Sequence, residues 1–223
     1  MENQIRILST KKLTDYQKQL LLNANFSIDE ADFIKVVDQS FHLKDLNDYL
    51  IFTSQNAVES VLENERIAEI KTKKSFCVGD KTKAVLEENG FEVILSSDYA
   101  SELASVICNQ YGKASFTFFC GNLRRDILPD SLRLAGITFE EVEVYETRLT
   151  PHKADSDLNG ILFFSPSGVQ SFLKENKLQD EVCFCIGSTT AKALRGITNK
   201  VVTANQPTIE STIAKSIAFF NKI

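Results

Sequence analysis

The chain has 223 residues, 43% of them apolar and 25% charged, with a formal net charge of −5 at pH 7. That is an ordinary globular composition, long enough for one large core or two small ones. The acidic balance argues against a nucleic-acid partner, which usually meets a basic face, and no apolar run approaches the ~20 residues of a membrane-spanning helix.

Apolar periodicity lays out the elements in chain order. Ile5–Leu8 reads as a strand and Lys11–Leu22 as a helix, with Leu13, Tyr16, Leu20 and Leu21 on one face. Phe33–Val37 is a second strand, Leu50–Phe52 a short buried one, and the chain is helical from Asn56, with Val58, Val61 and Leu62 inward. Ser75–Val78 is a strand, Lys81–Glu88 a helix stopped at Gly90, Phe91–Leu95 a strand and Ser101–Gln110 a helix. The aromatic run Phe116–Cys120 predicts a central strand; Arg125–Ala135 follows as a helix ended by Gly136, then Thr138–Tyr145 as a strand. The remainder alternates again: strands Ile161–Phe164, Val182–Ile186 and Lys200–Thr203, helices Val169–Lys174, Thr190–Arg195 and Ile209–Phe220. Strands alternating with helices of about ten residues imply an α/β fold of parallel sheets covered on both faces.

The chain also repeats itself. Phe52-Thr53-Ser54 is echoed by Phe163-Phe164-Ser165, Cys77-Val78-Gly79 by Cys185-Ile186-Gly187, and Ser101-Glu102-Leu103-Ala104 by Ser211-Thr212-Ile213-Ala214. Three echoes in one order at nearly one spacing predict two similar domains, each a parallel sheet flanked by helices. The second half lacks a counterpart of the unit Phe119–Asp126, and Ile7–Lys12 at the N-terminus offers one. Residues 1–37 with 148–223 are therefore expected to form a discontinuous domain 1, and residues 39–146 an inserted domain 2. Two crossing segments would make a two-stranded hinge, and the ligand cleft is expected between the domains.

Right-handed crossovers gather the strand C-termini of each domain on one edge, where the turns are rich in Ser, Thr, Gly and Asn. They are Ser9-Thr10, Thr53-Ser54 with Asn56, Gly79 to Thr82, Gly121-Asn122, Ser165 with Ser167 and Gly168, and Gly187 with Thr189 and Thr190. Free amides at a helix N-terminus favour an anion. Plain helix capping explains any single turn equally well; the whole set, with the extra hydroxyls of Thr189 and Thr190, points further to an acidic ligand. Arg125 stands near a helix start, where a cation opposes the dipole, so a ligand contact would account for it. Tyr145 ends a strand beside the inferred crossing: it is either a packed aromatic or a phenol at the cleft mouth able to exchange a proton.

Phosphate-loop and dinucleotide fingerprints are missing, as is a nucleophile elbow. The five cysteines, Cys77, Cys108, Cys120, Cys183 and Cys185, read as reduced, mostly buried thiols. His42 and His152 are isolated, so no metal site is expected. The polar start shows no signal pattern, and the protein is expected in the cytoplasm.

The segments Phe52–Val58, Val78-Gly79 with Thr82, Cys120–Leu128, Val144–Thr147, Phe164–Gly168 and Ile186–Leu194 together resemble the uroporphyrinogen-III synthase family, in the family's order and across nearly the whole chain. The resemblance implies a lyase without metal or organic cofactor. It would act, as an expected monomer, on the linear tetrapyrrole polycarboxylate hydroxymethylbilane. Water is lost, a spiro intermediate forms, and the last pyrrole ring is inverted to give uroporphyrinogen III. The family's tyrosine maps onto Tyr145 as the catalytic residue. Its serine-rich turns map onto Ser54, Ser165 and Ser167, its Thr-Thr turn onto Thr189 and Thr190, and its basic residue onto Arg125; with Thr53, Asn56, Gly79, Thr82, Gly121, Asn122, Gly168 and Gly187 from the turns above, these are the expected substrate-binding residues. Single Ser→Ala changes are then expected to cost little, with orientation the main device. A non-catalytic two-domain binding protein for an acidic small molecule is the alternative.

Overall fold

The computed structural model describes residues 4–155 and 157–221. In chain order come β1 (Arg6–Ser9), α1 (Asp15–Asn23), β2 (Ser27–Glu30), β3 (Ile34–Asp38), β4 (Tyr49–Phe52), α2 (Gln55–Leu62) and a single helical turn, α3 (Ile67–Ile70). Next are β5 (Lys74–Val78), α4 (Asp80–Glu88), β6 (Val93–Ser97), α5 (Ala100–Gln110), β7 (Ser115–Gly121), α6 (Ile127–Leu134) and β8 (Thr138–Leu149). Then follow β9 (Gly160–Phe163), α7 (Pro166–Glu175), β10 (Val182–Cys185), α8 (Ser188–Lys192), β11 (Val201–Thr203) and α9 (Ile209–Phe220).

The chain divides into two compact units. One holds the residues up to Lys35 and from Arg148 onward; the other holds Val36–Thr147. The first carries a five-stranded sheet in the order β11-β10-β9-β1-β2, and the second a six-stranded sheet in the order β3-β8-β7-β4-β5-β6. Apart from the edge pair β3–β8, the ladders are parallel. The sheets share a plan: β9, β10, β11 run outward in one direction and β1, β2 in the other, as β4, β5, β6 and β7, β8 do.

Successive side chains of a strand face opposite ways, and both faces of each sheet are filled. In the inserted unit Leu50, Phe52, Phe119, Val142 and Val144 meet α2 and α4 on one face. Ile51, Phe76, Phe116 and Phe118 meet α5 and α6 on the other. In the discontinuous unit Leu8, Ile161, Phe163, Cys183 and Cys185 pack under α7 and α8; Ile7, Leu162 and Phe184 pack under α1 and α9. Each buried Leu, Ile or Phe contributes about 1.5–3 kcal/mol of transfer free energy.

Several boundaries differ from the sequence reading, each for a local reason. Helix α1 starts at Asp15 and not Lys11, because Thr14 and Gln17 form a capping box that fixes the start. Tyr16 is 67% exposed and lies off the buried face. Helix α6 starts at Ile127 and not Arg125, so Arg125 precedes the helix. Proline at 129 decides this: a start at 125 would place it where an N–H must bond to the carbonyl four residues back. From Ile127 it falls in the first turn, where the missing N–H costs nothing. Strand β8 runs past Tyr145 to Leu149. Strand β2, Ser27-Ile28-Asp29-Glu30, and the turn α3 are additions to the expected elements; β2 is a sheet edge, where charged residues are tolerated.

Candidate active site

In the inserted unit β4 and β7 lie side by side, yet the helices that follow them leave to opposite faces. Ala57, Val58 and Val61 of α2 join one core, and Leu128 and Leu132 of α6 the other. Such a divergence opens a crevice beyond the strand C-termini, the usual ligand position of a doubly wound sheet. The discontinuous unit repeats it between β9 and β1, with Val169 and Phe172 of α7 on one face and Leu21 of α1 on the other.

Ser54 ends the turn after β4 and caps α2: its Oγ accepts the Ala57 N–H at 3.1 Å. The same Oγ donates to the Tyr145 hydroxyl at 3.0 Å. Tyr145 belongs to β8, on the far side of β7 from β4, so its ring must cross the end of β7 to reach Ser54. Two features allow this. The β7–β8 register slips between Cys120↔Glu143 and Gly121↔Tyr145, leaving Val144 as an extra residue. Regular alternation would send Val144 and Tyr145 to opposite faces; the bulge turns both toward the core under α2, a common way to re-aim a side chain. Gly121 supplies the space, since a Cβ there would collide with Cε2 and Cζ of Tyr145.

Asn122 is committed elsewhere. Its Oδ1 accepts the Thr147 N–H at 2.9 Å and its Nδ2 donates to the Thr147 carbonyl at 3.4 Å. Thr147 lies too far along the chain from Asn122 for sequence reasoning to pair them. Of the adjacent arginines, Arg124 is held by Glu141 and Asp126, whereas Arg125 is exposed and has no ion pair among the described residues. Thr53 and Asn56 are half-buried on the same rim. Gly79 is the N-cap of α4 at φ 88°, with no side-chain cap, a conformation that favours glycine. Thr82, in the first turn of that helix, is only 5% exposed and offers little surface to a ligand.

The discontinuous unit presents a parallel rim. Ser165 caps α7, accepting the Gly168 N–H at 2.9 Å, and its Oγ lies 3.0 Å from Ser167 Oγ. Gly187 is the N-cap of α8, again with no side-chain cap. Thr189 is half-buried beside it, and Thr190 is 2% exposed. Each unit thus pairs a serine-capped helix with a glycine-started one whose first amides lack a side-chain acceptor. The turn Ser9-Thr10 is different. Thr10 Oγ1 donates to the Leu162 carbonyl at 2.8 Å, and the Lys12 and Leu13 amides are taken by Asp32 and Glu30 at 2.9 Å each. The expected anion site there is filled by the protein's own carboxylates. Among the described residues no group of three or more His, Cys, Asp or Glu side chains could hold a metal ion, and no helix is long and apolar enough to cross a membrane.

These features define a two-unit, doubly wound α/β protein with polar strand-end rims and a buttressed phenol on one of them. The family model described as uroporphyrinogen-III synthase HemD matches residues 19–214; the chain belongs to the uroporphyrinogen-III synthase family. It is 29% identical over 133 residues to the Saccharomyces cerevisiae protein named uroporphyrinogen-III synthase, a match covering 52% of this chain and 48% of that one. It is also 29% identical over 156 residues to the porphyrin biosynthesis protein HemD of Ruminiclostridium josui, covering 62% of this chain and 30% of that one. The chain therefore spans about half of the first relative and under a third of the second. In fold it is similar to the uroporphyrinogen-III synthetase of Helicobacter pylori, with TM-score 0.75, 19% identity and 96% and 99% of the two chains covered. A mutant uroporphyrinogen III synthase of Thermus thermophilus gives TM-score 0.72 at 13% identity, covering 98% and 100%.

Proposed function

We propose that this protein is a uroporphyrinogen-III synthase, converting hydroxymethylbilane to uroporphyrinogen III with loss of one water and inversion of the last pyrrole ring. The observation that carries the reading beyond family membership is the Ser54–Tyr145 hydrogen bond. Ser54 accepts from Ala57 and donates to Tyr145, so the phenol's own proton stays available for another acceptor. In the proposed mechanism Tyr145 gives that proton to the substrate's departing hydroxyl, which leaves as water. The resulting cationic carbon is attacked by the substituted position of the electron-rich last ring to give the spiro intermediate; fragmentation and reclosure invert that ring. The closed macrocycle then sheds one proton, restoring the phenol.

The rims supply binding. The proposed contacts are Thr53, Ser54, Asn56, Gly79, Gly121 and Arg125 on one unit and Ser165, Ser167, Gly168, Gly187 and Thr189 on the other, with Thr82 and Thr190 behind them. Amides and hydroxyls spread over two rims suit a polycarboxylate even on an acidic protein, since local fields can oppose the total charge. Holding the substrate ends contributes more than strong acid catalysis, because orientation alone supplies large rate factors. We further propose that the protein acts in the cytoplasm as a monomer, without nucleic acid, metal or organic cofactor.

The test is Tyr145→Phe. It is expected to lower kcat by about 10²-fold or more, the usual contribution of a positioned acid, with KM little changed. Unchanged turnover would reject the acid role. A binding protein, the competing reading, would hold the tetrapyrrole without converting it.

A further inference from the structure

We infer that Asn122 is a positioning residue for Tyr145 and makes no contact with substrate. The inference rests on the proposed acid role of Tyr145 but uses separate observations. Asn122 follows the last residue of β7 and is exposed, which suits a ligand contact. Its side chain is nevertheless spent on backbone. Oδ1 takes the Thr147 N–H and Nδ2 reaches the Thr147 carbonyl, bonds that backbone groups of a longer β7 would otherwise make. The Asn122 N–H also points to the Tyr145 carbonyl at 3.4 Å. The clamp therefore grips β8 at Tyr145 and again two residues on.

The bulge explains why a clamp is needed there. The slip at Gly121↔Tyr145 breaks the regular ladder where the phenol must be aimed, and a bulge leaves local backbone unpaired. Without the Asn122 side chain, the Gly121↔Tyr145 pair and the Asn122 N–H would be left to tie this end of β8 to β7 among the described residues. Gly121 gives the ring room, Ser54 fixes its hydroxyl, and Asn122 fixes the backbone that carries it. An amide side chain suits this task because it matches a peptide group in having one acceptor and a donor side by side.

The experiment compares Asn122→Ala and Asn122→Asp with the unchanged protein and with Tyr145→Phe. Asn122→Ala is expected to lower kcat by about 10-fold, since small misplacements of a reacting group are costly, and to leave KM within about 2-fold, the pattern of a lost transition-state interaction. Asn122→Asp, which keeps the acceptor for the Thr147 N–H, is expected to recover most of kcat even though it adds a charge of the substrate's sign. In the Tyr145→Phe background Asn122→Ala is expected to cost little more, because residues acting through one group are not additive. A second readout needs no substrate. With ¹³Cζ-tyrosine labelling the five tyrosines give separate signals, that of Tyr145 being the one lost in Tyr145→Phe; Asn122→Ala is expected to move it. A raised KM with kcat unchanged, or an unmoved Tyr145 signal, would overturn the inference. Failure of Tyr145→Phe to slow turnover would reject the acid reading instead, while the spectroscopic arm would still report whether Asn122 holds the ring.

Discussion

Ser54 performs two tasks with one oxygen, and its counterpart Ser165 performs only one of them. Both accept an amide N–H at the start of a helix. Replacing such a cap by alanine typically costs about 0.5–2 kcal/mol, so Ser54→Ala and Ser165→Ala should lose similar stability in urea titrations. Ser54→Ala should also lower kcat more than Ser165→Ala, because it alone frees the Tyr145 hydroxyl; equal losses of kcat would show that the bond to the phenol is idle. This departs from the expectation that serine substitutions cost little, because the partner of Ser54 lies 91 positions away and no local pattern records it. The cysteines make a second residue-level case. Burial pushes the Cys183 and Cys185 thiols up to about 12, and the neighbouring thiol adds to the rise at Cys183. The thiolate is the reactive form, so neither should react with a thiol reagent at pH 8 until the protein is denatured. Prompt reaction of either in the native protein would contradict the packing of that core.

Elements were legible where the chain states them locally, and blurred where a distant partner decides. The strands β4, β7 and β9 are short apolar runs, and composition alone finds them. Strand β2 has one apolar residue, Ile28, and exists because β1 pairs with it, so periodicity could not find it. The start of α6 was written in the sequence at Pro129 and is recovered once the missing N–H is counted. Strand β8 outlasts its apolar part because β3 lies along its outer side and Asn122 takes the Thr147 N–H. Where β4 begins, Asp48 ties it to β7: its Oδ2 accepts the Ser115 N–H at 2.9 Å and the Ser115 hydroxyl at 2.8 Å. These bonds, the backbone one first, lower the Asp48 pKa from its ordinary 3.8. A lowered folded-state pKa gives stability that is present above the unfolded value and lost as pH falls through the folded one. Asp48→Asn should therefore flatten the decline in stability below about pH 4, read from urea unfolding at a series of pH values; an unaltered decline would remove Asp48 from the account.

At the scale of the whole chain the duplication is what the sequence expressed most clearly, and the structure gives its content. The same strand order occurs in both sheets, with β3 added at one edge of the larger. Serine caps recur at Ser54 and Ser165 and glycine starts at Gly79 and Gly187. The copies part at the turn after the first strand beyond each crevice. In the discontinuous unit Asp32 and Glu30 fill it; in the inserted unit Gly121 leaves room for Tyr145. One copy has thus spent that position on its own stability, and the other is proposed to use it for chemistry. This arrangement is proposed to steer ring closure of a linear tetrapyrrole toward inversion. Hydroxymethylbilane closes unaided to the uninverted type I macrocycle, so product identity reports the protein's proposed contribution directly. Freshly generated hydroxymethylbilane, incubated with the purified protein and with buffer alone, should give predominantly the type III isomer in the first and type I in the second, after oxidation to porphyrins and chromatographic separation. Type I alone in both would contradict the account.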